Sequence, residues 1–250
     1  MPASIGELNE RSLHRALKQR YAARGGTVEG VVGGYVADVL LGDRIVEIQT
    51  GSFSSLKRKL PRLLAEYPVT LVHPIARDRF IVRMDHPPAD GGDPGVPTAR
   101  RKSPKHGSQF GVFQALTGIP RLLDHPNLTL DIVMVVDEDI RVPYQGRRRR
   151  RRDWVSVDRR LLEVIETHTI EGMADLFAMV DAELPEAFTS RDLAEAMRAS
   201  RRLGQQAAFC FREAGLTEIC GKRDRFLLYR RAGDLPVHRT RAGRKSGPIE

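Results

Sequence analysis

Asp38, Glu47 and Gln49 are the residues whose types and spacing can do chemistry in this chain of 250 residues. They lie on two runs, Tyr35-Val36-Ala37-Asp38-Val39-Leu40-Leu41 and Arg44-Ile45-Val46-Glu47-Ile48-Gln49, separated by Gly42-Asp43. Gly-Asp between two β-branched, apolar runs signals a tight hairpin. Closing it pairs Leu41 with Arg44, Leu40 with Ile45, Val39 with Val46, and therefore Asp38 with Glu47. Directly opposed residues sit about 4.5–5.5 Å apart. Two carboxylates at that distance repel each other unless a cation or a proton lies between them. Alternation along the strand puts Gln49 on the face of Glu47. Such a set suits Mg²⁺ or Mn²⁺. Mg²⁺ is commonly held by one or two carboxylates, with waters and phosphate oxygens completing its shell. A metal there would polarise a phosphodiester and generate hydroxide from water. Asp38, Glu47 and the backbone carbonyl of Ile48 are the expected ligands. Gln49 is expected to orient water or hold a phosphate oxygen, and Glu10 to contribute from a neighbouring helix. The expectation requires both acids on one side of the sheet, with room for an ion.

The elements around the pair read as a mixed α/β layer. Residues 5–24 are an amphipathic helix with Leu8, Leu13, Ala16, Leu17 and Tyr21 at helical spacing. Glu10, His14 and Lys18 share another of its faces. After the hairpin, Ser54 or Ser55 caps a second helix through Leu56, Leu60, Leu63 and Leu64, with a break expected at Pro61. Residues 69–75 and 80–83 read as two strands, residues 85–108 as a loop, 110–123 as a helix and 128–136 as a further buried strand. Helix, hairpin, helix, strand describes a sheet with helices against it. This first domain is expected to span 1–143, with 144–153 as an arginine-rich linker.

Beyond Trp154 the pattern changes to short helices over 157–168, 173–180, 190–197 and 201–214, then a β-hairpin through 217–230 with a basic tip. Thr189 with Asp192 three positions on marks a helix start, and Gly215 a helix end. Helix, turn, helix, hairpin over 154–231 is a winged helix-turn-helix. Arg201, Arg202, Gln205 and Gln206 fall near the start of its last helix, the position from which side chains reach base edges. Lys222, Arg223 and Arg225 on the wing are placed for phosphate. Residues 232–250 read as a disordered basic tail.

The net charge of +9 points towards a polyanion. Arg147, Arg148, Arg149, Arg150, Arg151 and Arg152 supply six of those charges, so removing them leaves +3 and the basicity is mostly local. Their ordinary role is an electrostatic tether to phosphate. Apolar residues at 41% and charged residues at 29% describe a water-soluble, globular chain. No apolar run approaches membrane-spanning length, and the N-terminus has no signal pattern. Cys210 and Cys220 fit no metal spacing and read as reduced thiols of a cytoplasmic protein. No P-loop, dinucleotide fingerprint, zinc spacing or nucleophile elbow occurs.

Asp38, eight residues, then Glu47-Ile48-Gln49 resembles the active-site motif of the PD-(D/E)XK, or restriction-endonuclease-like, nucleases. The resemblance covers roughly residues 5–85. It implies a helix bearing Glu10, a hairpin bearing the acids, a further helix and a strand. The departure is Gln49, where most members have Lys; a few active restriction enzymes of this superfamily carry Glu-x-Gln. The whole chain also looks like an uncharacterised bacterial family. That likeness rests on Asn9-Glu10, Leu13-His14, Leu17-Lys18, Glu47-Ile48-Gln49-Thr50-Gly51, His73-Pro74-Ile75-Ala76-Arg77, Ser103-Pro104-Lys105-His106-Gly107 and residues 154–230.

Three readings follow. The first is an Mg²⁺-dependent DNA endonuclease, for which a coordinated double-strand cut would require a homodimer. The second is a non-catalytic DNA-binding regulator on a relict nuclease fold. The third is a protein-docking adaptor.

Overall fold

In the computed structural model of the chain, which describes residues 12–86, 95–144 and 154–233, Leu13, Leu17 and Tyr21 form the buried stripe of helix α1 (Ser12–Ala22). They pack on Val39, Val46, Ile48, Val72, Val133 and Val135, so α1 covers one face of a sheet. Apolar side chains at 3.6-residue spacing meet every second residue of each strand there. Tyr21 donates from its hydroxyl to Asp131 Oδ2 at 2.6 Å, and Thr169 donates to Asp131 Oδ1 at 2.8 Å. Burial, with the Asp131 charge beside it, pushes the Tyr21 phenol far up from its ordinary value.

The chain divides into two units, Met1–Gly172 and Met173–Glu250. The first is built on a mixed sheet of seven strands. In chain order these are β1 (Thr27–Val28), β4 (Val39–Leu41), β5 (Arg44–Ile48), β6 (Val69–Met84), β7 (Pro97–Lys102), β8 (Leu128–Pro143) and β9 (Trp154–Ile170). Two further short strands, β2 (Val31–Val32) and β3 (Tyr35–Val36), pair only with each other. The spatial order is β1-β4-β5-β6-β8-β9, with β7 also on β6. β5 and β6 run parallel, as do β6 and β8; the other pairs are antiparallel. Helix α2 (Lys59–Glu66) makes the crossover from β5 to β6 and buries Leu60, Leu63 and Leu64. The break expected at Pro61 comes earlier, between a 3₁₀ turn at Phe53–Leu56 and the start of α2. Pro61 then falls in the first turn of α2, where a backbone N–H has no intrahelical partner to lose.

Several expectations are corrected by the sheet. Residues 69–75 and 80–83 belong to the single strand β6, which carries a bulge between Ala76 and Asp78. Part of the expected loop is β7, and the helix expected over 110–123 is a series of short turns around α3 (Phe113–Leu116). The largest correction concerns 157–168, which is not a helix but most of strand β9. Leu161 and Val164 pack against the same core that α1 covers. Their separation of three looks helical because β9 is bulged. Val157, Leu162 and Ile165 are skipped in its register with β8, and each extra residue resets the alternation. Pro143 pairs with Trp154 across the ends of these two strands. Residues 144–153 therefore join two strands of one sheet and do not link two domains. The first unit ends at Gly172 instead of residue 143.

The second unit holds α4 (Met173–Asp181), β10 (Ala187–Thr189), α5 (Ser190–Ala196), α6 (Arg201–Glu213), β11 (Thr217–Arg223) and β12 (Phe226–Arg231). Its sheet has the order β10-β12-β11. Phe177, Phe188 and Phe211 fill its core, with Phe177 and Phe211 edge to face at 4.9 Å. The box between Thr189 and Asp192 starts α5, and Gly215 takes φ +76 after α6. The residues expected as a tail lie, from 234 onward, outside the described ones.

Candidate functional site

The hairpin forms in the expected register: Leu41 with Arg44, Leu40 with Ile45 and Val39 with Val46. Gly42 takes φ 61, the left-handed conformation that makes it the natural residue for this turn. The ladder stops one residue short of the acid pair. Asp38 lies just before β4, and its carboxylate folds back to accept the N–H of Ile48 at Oδ2, 2.8 Å away. The expectation of Asp38 directly opposite Glu47 is corrected to that extent. Both acids stay at the same end of the hairpin, and the Asp38 charge acts on Glu47. The expectation that they share one side of the sheet is also corrected. Asp38 is held by His14 and Lys18 of α1, whereas Glu47, between Val46 and Ile48 that face α1, turns away to Lys59 of α2.

Each acid has a basic partner. His14 Nε2 lies 3.2 Å from Asp38 Oδ2 and 3.0 Å from the Ile48 carbonyl. Both of those atoms accept, so Nε2 carries the proton it shares between them. One turn along α1, Lys18 Nζ is 3.9 Å from Asp38 Oδ1 and 3.0 Å from Glu29 Oε1. Burial alone would push the Asp38 carboxyl up. The hydrogen bonds from His14 and Ile48 and the charges of His14 and Lys18 outweigh it and hold Asp38 below its ordinary value. Glu47 goes the other way. It is 8% exposed, and burial keeps its carboxyl above the ordinary value although Lys59 Nζ donates to Oε1 at 2.7 Å. Lys59 is the first residue of α2, so the crossover helix delivers an ammonium to the strand it follows.

Gln49 is placed differently from expectation. Its Nε2 donates to the Ser52 carbonyl at 2.8 Å and to Ser55 Oγ at 3.1 Å, tying the loop ahead of α2. That amide nitrogen is committed to structure and does not reach towards Asp38. The Gln49 carbonyl meets His73 Nδ1 at 2.6 Å, and burial pushes His73 below its ordinary value. A neutral His73 donating from Nδ1 satisfies that buried contact. Glu10 lies outside the described residues.

As a metal centre, the donors fit in type and in part. Asp38 Oδ2 and the Ile48 carbonyl converge on one point, where His14 Nε2 now sits. Hard oxygens of this kind are what Mg²⁺ takes. Glu47 is turned to Lys59, and among the described residues no three His, Cys, Asp or Glu side chains are gathered to hold an ion.

Sequence reasoning missed Lys59 altogether and read His14 and Lys18 only as one face of a helix. The i, i+4 spacing of His14 and Lys18 was a usable signal. Lys59 left none, because only the packing of α2 against β5 brings it to Glu47.

In the second unit, Arg201, Arg202 and Gln205 are exposed at the start of α6, and Gln206 is half-buried. Lys222, Arg223 and Arg225 surround the β11–β12 turn, but Arg223 is engaged with the Ala187 carbonyl at 3.2 Å and Asp192 at 3.6 Å. The Arg225 guanidinium lies 5.4 Å from the Phe226 ring. Arg147 to Arg152 lie outside the described residues. Among the described residues no helix is long and apolar enough to cross a membrane.

The chain is similar to an uncharacterized protein of Treponema pallidum (strain Nichols), with 34% identity over 229 residues, covering 91% of this chain and 88% of the relative. No solved structure matches the chain. A family model matches residues 11–171, which reaches almost to the last residue of the first unit and takes in β9. The chain belongs to the family described as Domain of unknown function (DUF8091).

Proposed function

We propose that the chain is a metal-dependent nuclease acting on DNA, with a restriction-endonuclease-like first unit and a winged-helix second unit. The observation that carries the reading is the convergence of Asp38 Oδ2 and the Ile48 carbonyl on one point, 3.2 and 3.0 Å from His14 Nε2, with the Asp38 charge acting on Glu47. Helix, hairpin, crossover helix and parallel strand follow in the order that the resemblance implies. Asp38, Glu47 and the Ile48 carbonyl would hold Mg²⁺ or Mn²⁺, which when bound would polarise the phosphate and activate water. Lys59 stands in for the cation missing at position 49. Its charge would offset that gathering on a phosphate in the transition state. His14 shares its proton with Asp38 and the Ile48 carbonyl, so it must leave that point before an ion can enter.

The order β10-β12-β11 with three helices supports the winged-helix reading. Arg201, Arg202 and Gln205, free of partners among the described residues, are then the groups that meet DNA. Reduced Cys210 and Cys220 suit a cytoplasmic site of action. The test is incubation with plasmid and single-stranded DNA in Mg²⁺ or Mn²⁺, with Glu47→Ala and Lys59→Met proteins as controls. Cleavage by the wild type alone is the expected result. Absence of cleavage with every metal would remove the enzyme reading.

A second reading is a non-catalytic DNA-binding protein on the same fold. The observation favouring it is that both acids already carry basic partners, at 3.2 Å and 2.7 Å. It requires salt-dependent DNA binding, weakened by Arg201→Ala with Arg202→Ala, and no metal-dependent cutting.

A further inference from the structure

The gap along β6 between the end of β5 and the start of its pairing with β7 is closed by residues 103–107. Ser103 N donates to the Arg79 carbonyl at 2.8 Å, and Gly107 N donates to the carbonyls of Ala76 and Arg77 at 3.1 and 3.2 Å. A Cβ at 107 would run into the Ala76 carbonyl, so this turn lies against the strand as only glycine allows. Between the turn, β6 and residues 111–114 opens a cleft of about 740 Å³. Small-molecule sites fall in the range of roughly 300–1,000 Å³.

Its charge is organised. Arg79 and Arg141 line the cleft, and each is held by an aspartate buried under it. Asp137, 1% exposed, accepts from Arg79 Nε and Nη2 at 2.7 and 2.6 Å. Asp139, 3% exposed, accepts from Arg141 Nε and Nη2 at 2.8 and 2.6 Å. Both guanidinium groups are thereby fixed in place, and among the described residues neither Nη1 has a partner. Asp78, the other nearby acid, is engaged by Lys102 at 3.0 Å and His106 at 2.7 Å. Arg101 and Lys105 also line the cleft, and their side chains have no partner among the described residues. With every nearby acid matched, these two leave an uncompensated charge of about +2. That balances the roughly −1.5 to −2 carried by a phosphate monoester near neutral pH. Arginines pre-ordered by buried carboxylates lose little freedom on binding such a group. Ile75, Ile81 and Pro104 supply an apolar floor beside them.

We propose that this cleft binds a nucleotide through its terminal phosphate, whether on a free nucleotide or at the phosphorylated end of a nucleic-acid strand. The site is separate from Asp38 and Glu47 and stands whether or not those residues hold an ion. The test is titration calorimetry on the full chain with dAMP, deoxyadenosine and a tetranucleotide with and without a 5′-phosphate. Arg101→Ala with Lys105→Ala is the variant; both positions are exposed, and circular dichroism checks its fold. Expected are binding of at least one phosphorylated probe, at least about tenfold weaker binding of its unphosphorylated counterpart, and a similar loss in the variant. Binding of dAMP assigns the free nucleotide; binding confined to the 5′-phosphorylated tetranucleotide assigns the strand end. Equal affinity with and without phosphate, no binding of either phosphorylated probe, or an unaffected double variant would overturn the proposal.

Discussion

Lys59→Met isolates the contact on which the site's electrostatics turn. Lys59 Nζ donates to Glu47 Oε1 at 2.7 Å, and the Glu47 side chain is 10% exposed against 29% for Lys59. A charged hydrogen bond contributes about 1.5–3 kcal/mol, and losing one partner of a fully buried pair costs about 3–5 kcal/mol. The water reaching Lys59 places this pair near the lower range, so the variant should lose about 2 kcal/mol near pH 7.5. The pH dependence identifies the cause. Glu47 is already held above its ordinary value of 4.5 by burial, and removing Lys59 raises it further. Stability tied to a raised carboxyl is fully present below the unfolded value and is lost as pH rises through the folded one. The gap between wild type and variant must therefore open as pH rises above the ordinary Glu47 value and narrow towards zero as it falls there. Urea unfolding of both proteins between about pH 5 and pH 7.5 reads this directly. Adding Glu47→Gln completes a double-mutant cycle, with an expected coupling of at least about 1 kcal/mol near pH 7.5. A gap that is constant with pH, or coupling indistinguishable from zero, would refute the assignment of Lys59 as the counter-ion of Glu47.

Asp38→Ala leaves the Ile48 N–H without its acceptor and should cost about 2–4 kcal/mol, whereas Asp38→Asn keeps an acceptor and should cost about half as much. Because Asp38 is held below its ordinary value, its stabilisation is present above the unfolded value and lost as pH falls through the folded one, so the Asn gap should close in acid. The Cys210 thiol is buried and pushed up to about 12, while Cys220 is exposed. A thiol reagent near neutral pH should thus titrate one cysteine in the native protein and both only in denaturant. Gly204→Ala would press a methyl against the Ser190 carbonyl and within 2.8 Å of Ala194 Cβ, where α6 crosses α5. A loss of about 1–3 kcal/mol is expected, seen as a lower thermal midpoint; an unchanged midpoint would show that the two helices separate freely.

Sequence by itself determined whatever depends on neighbours along the chain. Gly42-Asp43 set the hairpin register, because a two-residue turn leaves no freedom in which residues oppose. The Thr189–Asp192 box, Gly215 and the apolar spacing of α1 were legible for the same reason: each is a local rule satisfied within a turn or two. Tertiary structure decided the rest. Residues 157–168 carry apolar spacing that a helix and a bulged strand satisfy equally, and only the open edge of β8 chose the strand. That choice moved the end of the first unit from residue 143 to 172. The site divides along the same line. Asp38 and Glu47 were legible because the hairpin brings them to one end. The partners that set their charge come from α1 and α2, and which residue of a packed helix reaches a given strand is settled by how the two surfaces interlock.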